Sequence, residues 1–474
     1  MKTYPVFLNG NWEITPESIP VVNPASGEEH ARMSVVGRSR VAQALSDAHA
    51  AFATWRHVPG KARGVLLERV ADEMERRREE IARTITFENG KPVTQSQGEV
   101  AMAVDHLRWF AGEARRIYGR IAPPQMDGKR HLIVKSPVGV VAAISPWNFP
   151  LVLAVRKVAP ALAAGCTVIL KPASKTPLCA VAFAECIAAV EPPHNIFQLV
   201  VGPSAEIAAE FLENPLCRKI TFTGSTEVGQ KLIAGAAAQV KPLSLELGGN
   251  APVLVFADCD LDEAVKGVMM AKFRNTGQSC IAANRIYVQR PVYARFLELM
   301  TEKVRVLKVA DGLDPDSQIG PLIDREAVAK AAEHVDDAVA GGAKLLCGGK
   351  PVPGAGFFFE PTLLADVGRG SLCMFEETFA PIAPVSAFDT EKEAIELANG
   401  NSYGLSAYVF TRDASRIFRL ADALEAGTIG INDGLPTTSQ CPFGGMKHSG
   451  WGRELGTEGL DEFLETKHVS IDLD

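Results

Sequence analysis

Residues 138–170 read VGVVAAISPWNFPLVLAVRKVAPALAAGCTVIL, and this stretch contains the pattern that decides the fold. A short apolar run, an alanine-rich segment of helical length and a second apolar run follow one another. Continuous apolar strands that alternate with helices are typical of a parallel sheet with helices on both faces. The stretch therefore predicts a doubly wound α/β fold.

The same alternation continues towards the C-terminus. The apolar runs of the first series end near Ser145, Leu170, Val201, Thr223 and Leu247. A second α/β series begins near Ala251 and extends to about Ile431. Ligands of such sheets bind beyond the carboxyl ends of the strands, so the residues that follow each run are the first candidates for function.

The length of 474 residues predicts two large domains, because a single hydrophobic core stops growing well before this length. Short strands and turns are predicted in the first 30 residues. Long helices are predicted over about 41–55, 61–88 and 99–118.

Composition excludes several classes of protein. Hydrophobic residues make up 47% and charged residues 22% of the chain, as in an ordinary globular protein. The net charge of -7 predicts no nucleic-acid partner and no membrane partner. The N-terminus lacks a signal-peptide pattern, which predicts a cytoplasmic location. Nine cysteines scattered singly predict a reducing compartment, with neither a disulfide framework nor a metal site.

Three side chains at predicted strand or helix ends form a possible catalytic group. Cys280 lies in a turn-forming segment after an amphipathic helix, Glu246 ends one apolar run, and Asn148 follows another. A lone cysteine is usually inert core filler, but a carboxylate and an amide at the same end of the sheet favour a nucleophile. Gly224–Gly229 opens a helix whose backbone N–H groups can face a phosphate, although close packing explains a glycine there equally well.

Several longer motifs carry a resemblance to the aldehyde dehydrogenase superfamily, which extends from Val21 to Lys467. They are SPWNFP (145–150), LKPA (170–173), FTGS (222–225), LELGGN (245–250), GQSC (277–280) and EETFAP (376–381). The resemblance implies a dinucleotide-binding domain (1–120 and 142–249), a catalytic domain (250–440) and a small β oligomerisation element (121–141 and 441–474). It also implies a homodimer or homotetramer.

The resemblance implies that the Cys280 thiolate attacks an aldehyde and that loss of hydride leaves a thioester. Asn148 and the Cys280 N–H would form the oxyanion hole, and Glu246 would activate the hydrolytic water. An acylating dehydrogenase would not need Glu246 as a base. A family member retained only as a structural protein would be expected to have lost one of these three residues.

The implied cofactor is NAD or NADP. The residues that would contact it are Ser145, Pro146, Trp147, Lys171, Pro172, Ala173, Ser174, Gly224, Ser225, Leu247, Glu377 and Phe379. Ser174 stands where strongly NAD-selective relatives carry Glu, so we expect NADP to be tolerated. Ala380 replaces a glycine that is usual in the family, and we expect a local adjustment of the backbone there.

Within the superfamily the chain looks most like succinate-semialdehyde dehydrogenases. Arg156 and Arg274 match positions that hold the distal carboxylate of the substrate, and surface or interdomain salt bridges are the alternative role. Thr437, Thr438 or Ser439 would supply a third contact, although Pro436 alters that loop. Other possible substrates are 2-oxoglutarate semialdehyde, glutarate semialdehyde or a broad range of aldehydes.

Overall fold

The structure is a computed structural model that describes residues 1–473. The N-terminal part supplies edge strands and a helical layer. Its elements are β1 (Thr3–Tyr4), β2 (Val6–Leu8), β3 (Asn11–Glu13), β4 (Ser18–Asn23), β5 (Glu28–Ser34), α1 (Arg38–Trp55), α2 (Gly60–Arg76), α3 (Arg78–Asn89) and α4 (Val93–Glu113). The β2–β3 turn is formed by Asn9 and Gly10, which have φ angles of 51° and 72°.

The prediction of one continuous helix over residues 61–88 is wrong, because the structure contains two helices there, α2 and α3. Arg77 separates the two helices with φ -99° and ψ 13°, outside the helical range. Its guanidinium donates to Glu80 and Glu185, and the Glu185 contact is long-range. The spacing of apolar residues along the sequence does not reveal such long-range contacts.

The next part of the chain is an arm of two antiparallel strands followed by the first α/β series. Its elements are β6 (Arg120–Ala122), β7 (Lys129–Pro137), β8 (Val140–Ile144), α5 (Val152–Ala164), β9 (Thr167–Lys171), α6 (Leu178–Ala189), β10 (Phe197–Leu199), α7 (Ser204–Glu213), β11 (Cys217–Thr223), α8 (Thr226–Ala236) and β12 (Leu243–Glu246). The strands β12, β11, β8, β9 and β10 are neighbours and parallel. The predicted doubly wound sheet is confirmed.

The second series forms a seven-stranded sheet. Its elements are β13 (Ala251–Val255), α9 (Leu261–Phe273), β14 (Ala283–Gln289), α10 (Arg290–Arg305), α11 (Arg325–Ala340), β15 (Lys344–Cys347), β16 (Thr362–Ala365), α12 (Leu372–Phe375), β17 (Ile382–Phe388), α13 (Glu391–Asn399), β18 (Tyr403–Gly404), β19 (Ser406–Phe410), α14 (Ala414–Ala423) and β20 (Thr428–Ile431). The sheet order is β15-β16-β17-β14-β13-β19-β20, and only the β15–β16 pair is antiparallel. Separate apolar clusters pack on this sheet.

The C-terminal segment pairs with the first sheet and with strand β7. Its elements are β21 (Met446–Lys447), β22 (Gly450–Trp451), α15 (Glu458–Asp461) and β23 (Leu464–Asp472). Strand β22 extends the first sheet beside β12, and β23 pairs with β7 along its whole length. Strands β23, β7 and β6 form a separate antiparallel sheet. Within residues 1–473 no helix has the length and apolar character needed to cross a bilayer.

Candidate active site

The loops that follow β8 and β12 meet the loop that carries Cys280. The Asn148 side-chain amide donates to the carbonyl of Gln278 at 3.2 Å, two residues before the thiol. A Cβ atom built on Gly249 would lie 2.2 Å from the Cys280 carbonyl oxygen, so only glycine permits this approach. The structure therefore brings the candidate nucleophile and amide together at the end of the sheet where Glu246 lies.

The turn before Cys280 has an unusual backbone conformation. Asn275, Thr276 and Gly277 have consecutive positive φ angles of 51°, 57° and 72°. The Asn275 amide donates to the carbonyls of Asn148 at 2.8 Å and Gln278 at 3.0 Å. Left-handed conformations cost energy for residues with a Cβ atom, and they concentrate at functional sites where surrounding contacts enforce them. The turn holds the thiol in a fixed position.

Cys280 is half-buried and does not form a disulfide. Burial raises the pKa of its thiol to about 12, the Glu377 carboxylate adds to the increase, and the charge of Arg156 opposes it. The resting thiol is therefore protonated at neutral pH. Chemistry at this sulfur requires a group that can accept its proton.

Glu246 is a buried carboxyl group at the end of β12. Burial holds its pKa well above the usual glutamate range, and the nearby Glu454 carboxylate raises it further. Its Oε2 atom has no hydrogen-bond partner among residues 1–473. A carboxylate with a raised pKa and a free oxygen is suited to accept a proton from water near neutral pH.

A buried ion pair behind Glu246 was not predicted from the sequence. Lys157 on α5 donates to Glu454 at 2.6 Å, and both side chains are almost fully buried. A second pair joins Lys91 to Glu99 at 2.6 Å, and Lys91 also donates to the Asn148 carbonyl at 2.7 Å. Lys157 and Glu454 are 297 residues apart, and no sequence spacing indicates their contact.

Residues predicted to contact the cofactor make close contacts with one another and with the loop that follows β12. The rings of Trp147 and Phe379 meet edge to face, with centroids 5.4 Å apart. Glu377 accepts a hydrogen bond from the Gly249 N–H at 3.1 Å, and burial raises its pKa to about 7. Leu247 packs so closely on Gly229 that a Cβ atom there would lie 2.6 Å from a Leu247 methyl group.

The residues predicted to contact the adenosine and the pyrophosphate follow β9 and β11. Lys171 is buried, and no carboxylate among residues 1–473 pairs with its ammonium group, whose pKa is lowered by burial to about 8. Ser174 follows Pro172 and Ala173 in the sequence and lines a cavity of about 900 Å³. Ser225 caps α8 beside Gly224, and its side chain accepts from the Val228 N–H. A buried ammonium that donates to the Pro172 carbonyl at 3.3 Å but has no carboxylate partner among residues 1–473, together with a helix N-terminus, fits the ribose and phosphates of a dinucleotide.

Ala380 follows a residue with a left-handed backbone conformation. The positive φ angle in this segment, 50°, belongs to Phe379, and Ala380 is not among the residues with positive φ. The Ala380 side chain is buried in an apolar cluster. The Ala380 methyl group therefore does not stand at a left-handed position, and the local adjustment of the backbone stays a prediction.

Arg156 lies on α5 and Arg274 lies at the end of α9, and the charge of Arg156 acts on the Cys280 thiol. No carboxylate among residues 1–473 lies within salt-bridge distance of either guanidinium. Arg156 stacks on the Phe443 ring at 4.9 Å, and Arg274 stacks on Phe149 at the same distance. The alternative role of these two arginines, a surface or interdomain salt bridge, is therefore not observed within residues 1–473. Two unpaired guanidinium groups favour an anionic ligand.

The loop of Thr437 lies beside the two arginines. Ser439 donates its hydroxyl to Asp105, and Thr438 donates to Gln440 at 2.6 Å. The buried Thr437 hydroxyl has no partner among residues 1–473. Of the three hydroxyls considered from the sequence, only that of Thr437 is free for a ligand.

Comparisons with known proteins agree with this geometry. A sequence model described as the aldehyde dehydrogenase family matches residues 12–469. The chain is 45% identical to an NADP(+) succinate-semialdehyde dehydrogenase of Escherichia coli, over 98% of this chain and 97% of the relative. It is also 45% identical to a glutarate-semialdehyde dehydrogenase of Pseudomonas aeruginosa, with the same coverage. A crystal structure of an NADP-dependent enzyme from E. coli superposes with a TM-score of 0.98, at 44% identity over 99% of this chain and 98% of that one.

Proposed function

The chain belongs to the aldehyde dehydrogenase family, and on that basis we propose that it oxidises a semialdehyde with a distal carboxylate, foremost succinate semialdehyde. NAD or NADP serves as the cofactor. The observation that carries the substrate class is the pair of guanidinium groups, Arg156 and Arg274, without a carboxylate partner among residues 1–473. Glutarate semialdehyde and 2-oxoglutarate semialdehyde present the same terminal group and are the alternatives, with broad aldehyde specificity a further one.

In the proposed reaction the Cys280 thiol loses its proton to a water molecule and its sulfur attacks the aldehyde carbon. The Asn148 amide and the Cys280 N–H donate to the oxygen that becomes negative, and one such donor typically contributes about 3 kcal/mol to lowering the barrier. When bound, the nicotinamide supplies the hydride acceptor. Departure of hydride leaves a thioester on Cys280.

Hydrolysis of that thioester is assigned to Glu246. Its carboxylate takes a proton from a water molecule, the resulting hydroxide attacks the thioester carbon, and the acid product and the Cys280 sulfur separate. The raised pKa of Glu246 supports this assignment, because a carboxylate with an ordinary pKa is a weak base at neutral pH. An acylating enzyme that passes its acyl group to a thiol has no need for such a base.

The cofactor is assigned to the loops at the carboxyl ends of the strands of the first sheet. The adenosine ribose is assigned to Lys171 and Ser174, the pyrophosphate to Gly224 and Ser225, and the nicotinamide ribose to Glu377. The remaining contacts are assigned to the following residues: Ser145, Pro146, Trp147, Pro172, Ala173, Leu247 and Phe379. The aromatic pair, the buried ammonium of Lys171 and the helix N-terminus support this arrangement.

Two further assignments concern assembly and location. We expect a homodimer or homotetramer in the cytoplasm. The β23-β7-β6 sheet supports assembly, because Ile121 on β6 is 75% exposed and Val469 on β23 is 36% exposed. Apolar side chains on such an arm favour a partner subunit. All nine cysteines are free thiols, which suits a reducing compartment.

Replacing either Arg156 or Arg274 by alanine tests the substrate class. We expect KM for succinate semialdehyde to rise about 10- to 100-fold, because each variant removes one charged donor from the carboxylate. KM for butanal, which has no carboxylate, should change little. Steady-state assays with both aldehydes measure the difference, and Arg108→Ala, which removes an exposed arginine from α4, is the control. Equal effects on the two aldehydes would refute a carboxylate site.

Replacing Ser174 by glutamate tests the adenosine assignment. A carboxylate at this position repels a 2′-phosphate, so we expect kcat/KM for NADP to fall about tenfold or more relative to that for NAD. The ratio of kcat/KM for the two cofactors in each protein is the measurement. An unchanged ratio would place the 2′-phosphate elsewhere.

A further inference from the structure

Asn148, the residue assigned to the oxyanion hole, lies in an irregular loop. Strand β8 ends at Ile144 and α5 begins at Val152, and Asn148 is located between them. A donor to an oxyanion must be held close to the position where the negative charge develops. A displacement of about 1 Å at such a site can cost about 100-fold in rate. The contacts that hold this loop are therefore important for the reaction.

The main-chain carbonyl of Asn148 is held by side chains from two distant segments. Lys91, which follows α3, donates from Nζ to this oxygen at 2.7 Å, and the Asn275 amide donates to it at 2.8 Å. The Lys91 ammonium also lies 4.0 Å from the centroid of the Phe149 ring, on which Arg274 stacks. Hydrogen bonds from charged donors are about twice as strong as those between neutral groups, so Lys91 supplies the firmest of these contacts.

The Lys91 ammonium is part of a buried ion pair that also holds the start of α5. Glu99 on α4 pairs with Lys91 at 2.6 Å through Oε2, and both side chains are 0% exposed. Its Oε1 atom accepts the N–H groups of Leu151 at 2.9 Å and Val152 at 3.2 Å. A buried ion pair is weak evidence for a gain in stability, because desolvation of the two charges offsets their attraction. The precise placement of the loop after β8 is a better explanation for this pair.

We propose that Lys91 is a positioning residue that aligns the Asn148 amide with the aldehyde oxygen through its hydrogen bond to the Asn148 carbonyl. Lys91 acts through Asn148 and takes part in no covalent step. Because the oxyanion forms with every aldehyde, loss of Lys91 lowers the rate for charged and uncharged aldehydes alike, whereas loss of Arg156 acts on charged aldehydes. The inference rests on the proposed role of Asn148 and adds the group that holds this residue in place.

Replacing both members of the ion pair tests this role without leaving a buried charge unpaired. In Lys91→Met/Glu99→Gln, the pair variant, methionine cannot donate to the Asn148 carbonyl, but the glutamine oxygen can still accept the N–H groups of α5. We expect kcat/KM to fall about 10- to 100-fold for both succinate semialdehyde and butanal, with an unchanged dissociation constant for NADP. Glu99→Gln alone keeps the Lys91 contact and should lose much less.

Lys241→Met is the matched control for the pair variant. Lys241 is also a buried lysine that donates to main-chain carbonyls, those of Phe211 and Asn214. It precedes β12, whose other end carries Glu246. We expect this variant to keep nearly full activity with both aldehydes. A loss equal to that of the pair variant would show a general effect of removing a buried lysine and would overturn the inference.

A double-mutant cycle with Asn148→Ala separates positioning from a general disturbance of the fold. If Lys91 acts through the Asn148 amide, the pair variant should lower kcat/KM little further once that amide is absent. Full additivity of the two losses, or native kcat/KM in the pair variant, would overturn the inference, and the oxyanion hole would stand if Asn148→Ala alone lowers kcat/KM. Native kcat/KM in Asn148→Ala would refute the oxyanion hole itself. If the pair variant does not fold, Lys91→Gln, whose side chain is one atom shorter, replaces it under the same criteria.

Discussion

Replacing Cys280 by alanine is expected to lower kcat for aldehyde oxidation by at least about 10⁴-fold, because no covalent adduct can form without the sulfur. Cofactor binding should be retained, because the sulfur is not among the groups assigned to the cofactor. Steady-state formation of NADH or NADPH measures the first effect, and quenching of tryptophan fluorescence by the cofactor measures the second.

Cys347→Ala is the matched control for that experiment. Cys347 is also half-buried, but it lies on β15, the edge strand of the seven-stranded sheet. We expect this variant to keep full activity. Native-like turnover in Cys280→Ala, with the fold verified by circular dichroism, would remove Cys280 from the mechanism.

The parts of the site that the sequence predicts are those that follow a local pattern. The apolar runs before Asn148 and Glu246 end where β8 and β12 end, and parallel strands place their carboxyl ends at one edge of the sheet. The amphipathic helix expected before Cys280 is α9, and the expected turn follows it. The spacing of apolar residues and the turn-forming residues between the elements are sufficient to predict these features. Each feature depends only on residues that are neighbours in the sequence.

The remaining features depend on contacts between distant segments. The Lys157–Glu454 pair joins α5 to the C-terminal segment, and the charge of Glu454 contributes to the raised pKa of Glu246. The sequence indicates a base at Glu246 through the family motif, but it does not show what tunes that base.

Replacing Glu246 by glutamine is expected to separate the two halves of the reaction. The amide has nearly the same shape but cannot accept a proton from water, so hydrolysis of the thioester should slow by about 10²- to 10⁴-fold. Hydride transfer does not use this proton, and one equivalent of NADH or NADPH per active site should still form rapidly. Stopped-flow absorbance should therefore show a burst followed by slow turnover.

The pH dependence supplies the second test of Glu246. A general base acts when ionised, so activity limited by hydrolysis should rise with pH as Glu246 loses its proton. Burial and Glu454 raise the pKa of this group, which moves that rise to higher pH than an exposed glutamate would give. In Glu246→Gln this limb of the profile should disappear from the steady-state rate. Full steady-state turnover in the variant, or a native-like rising limb, would show that another group activates the water.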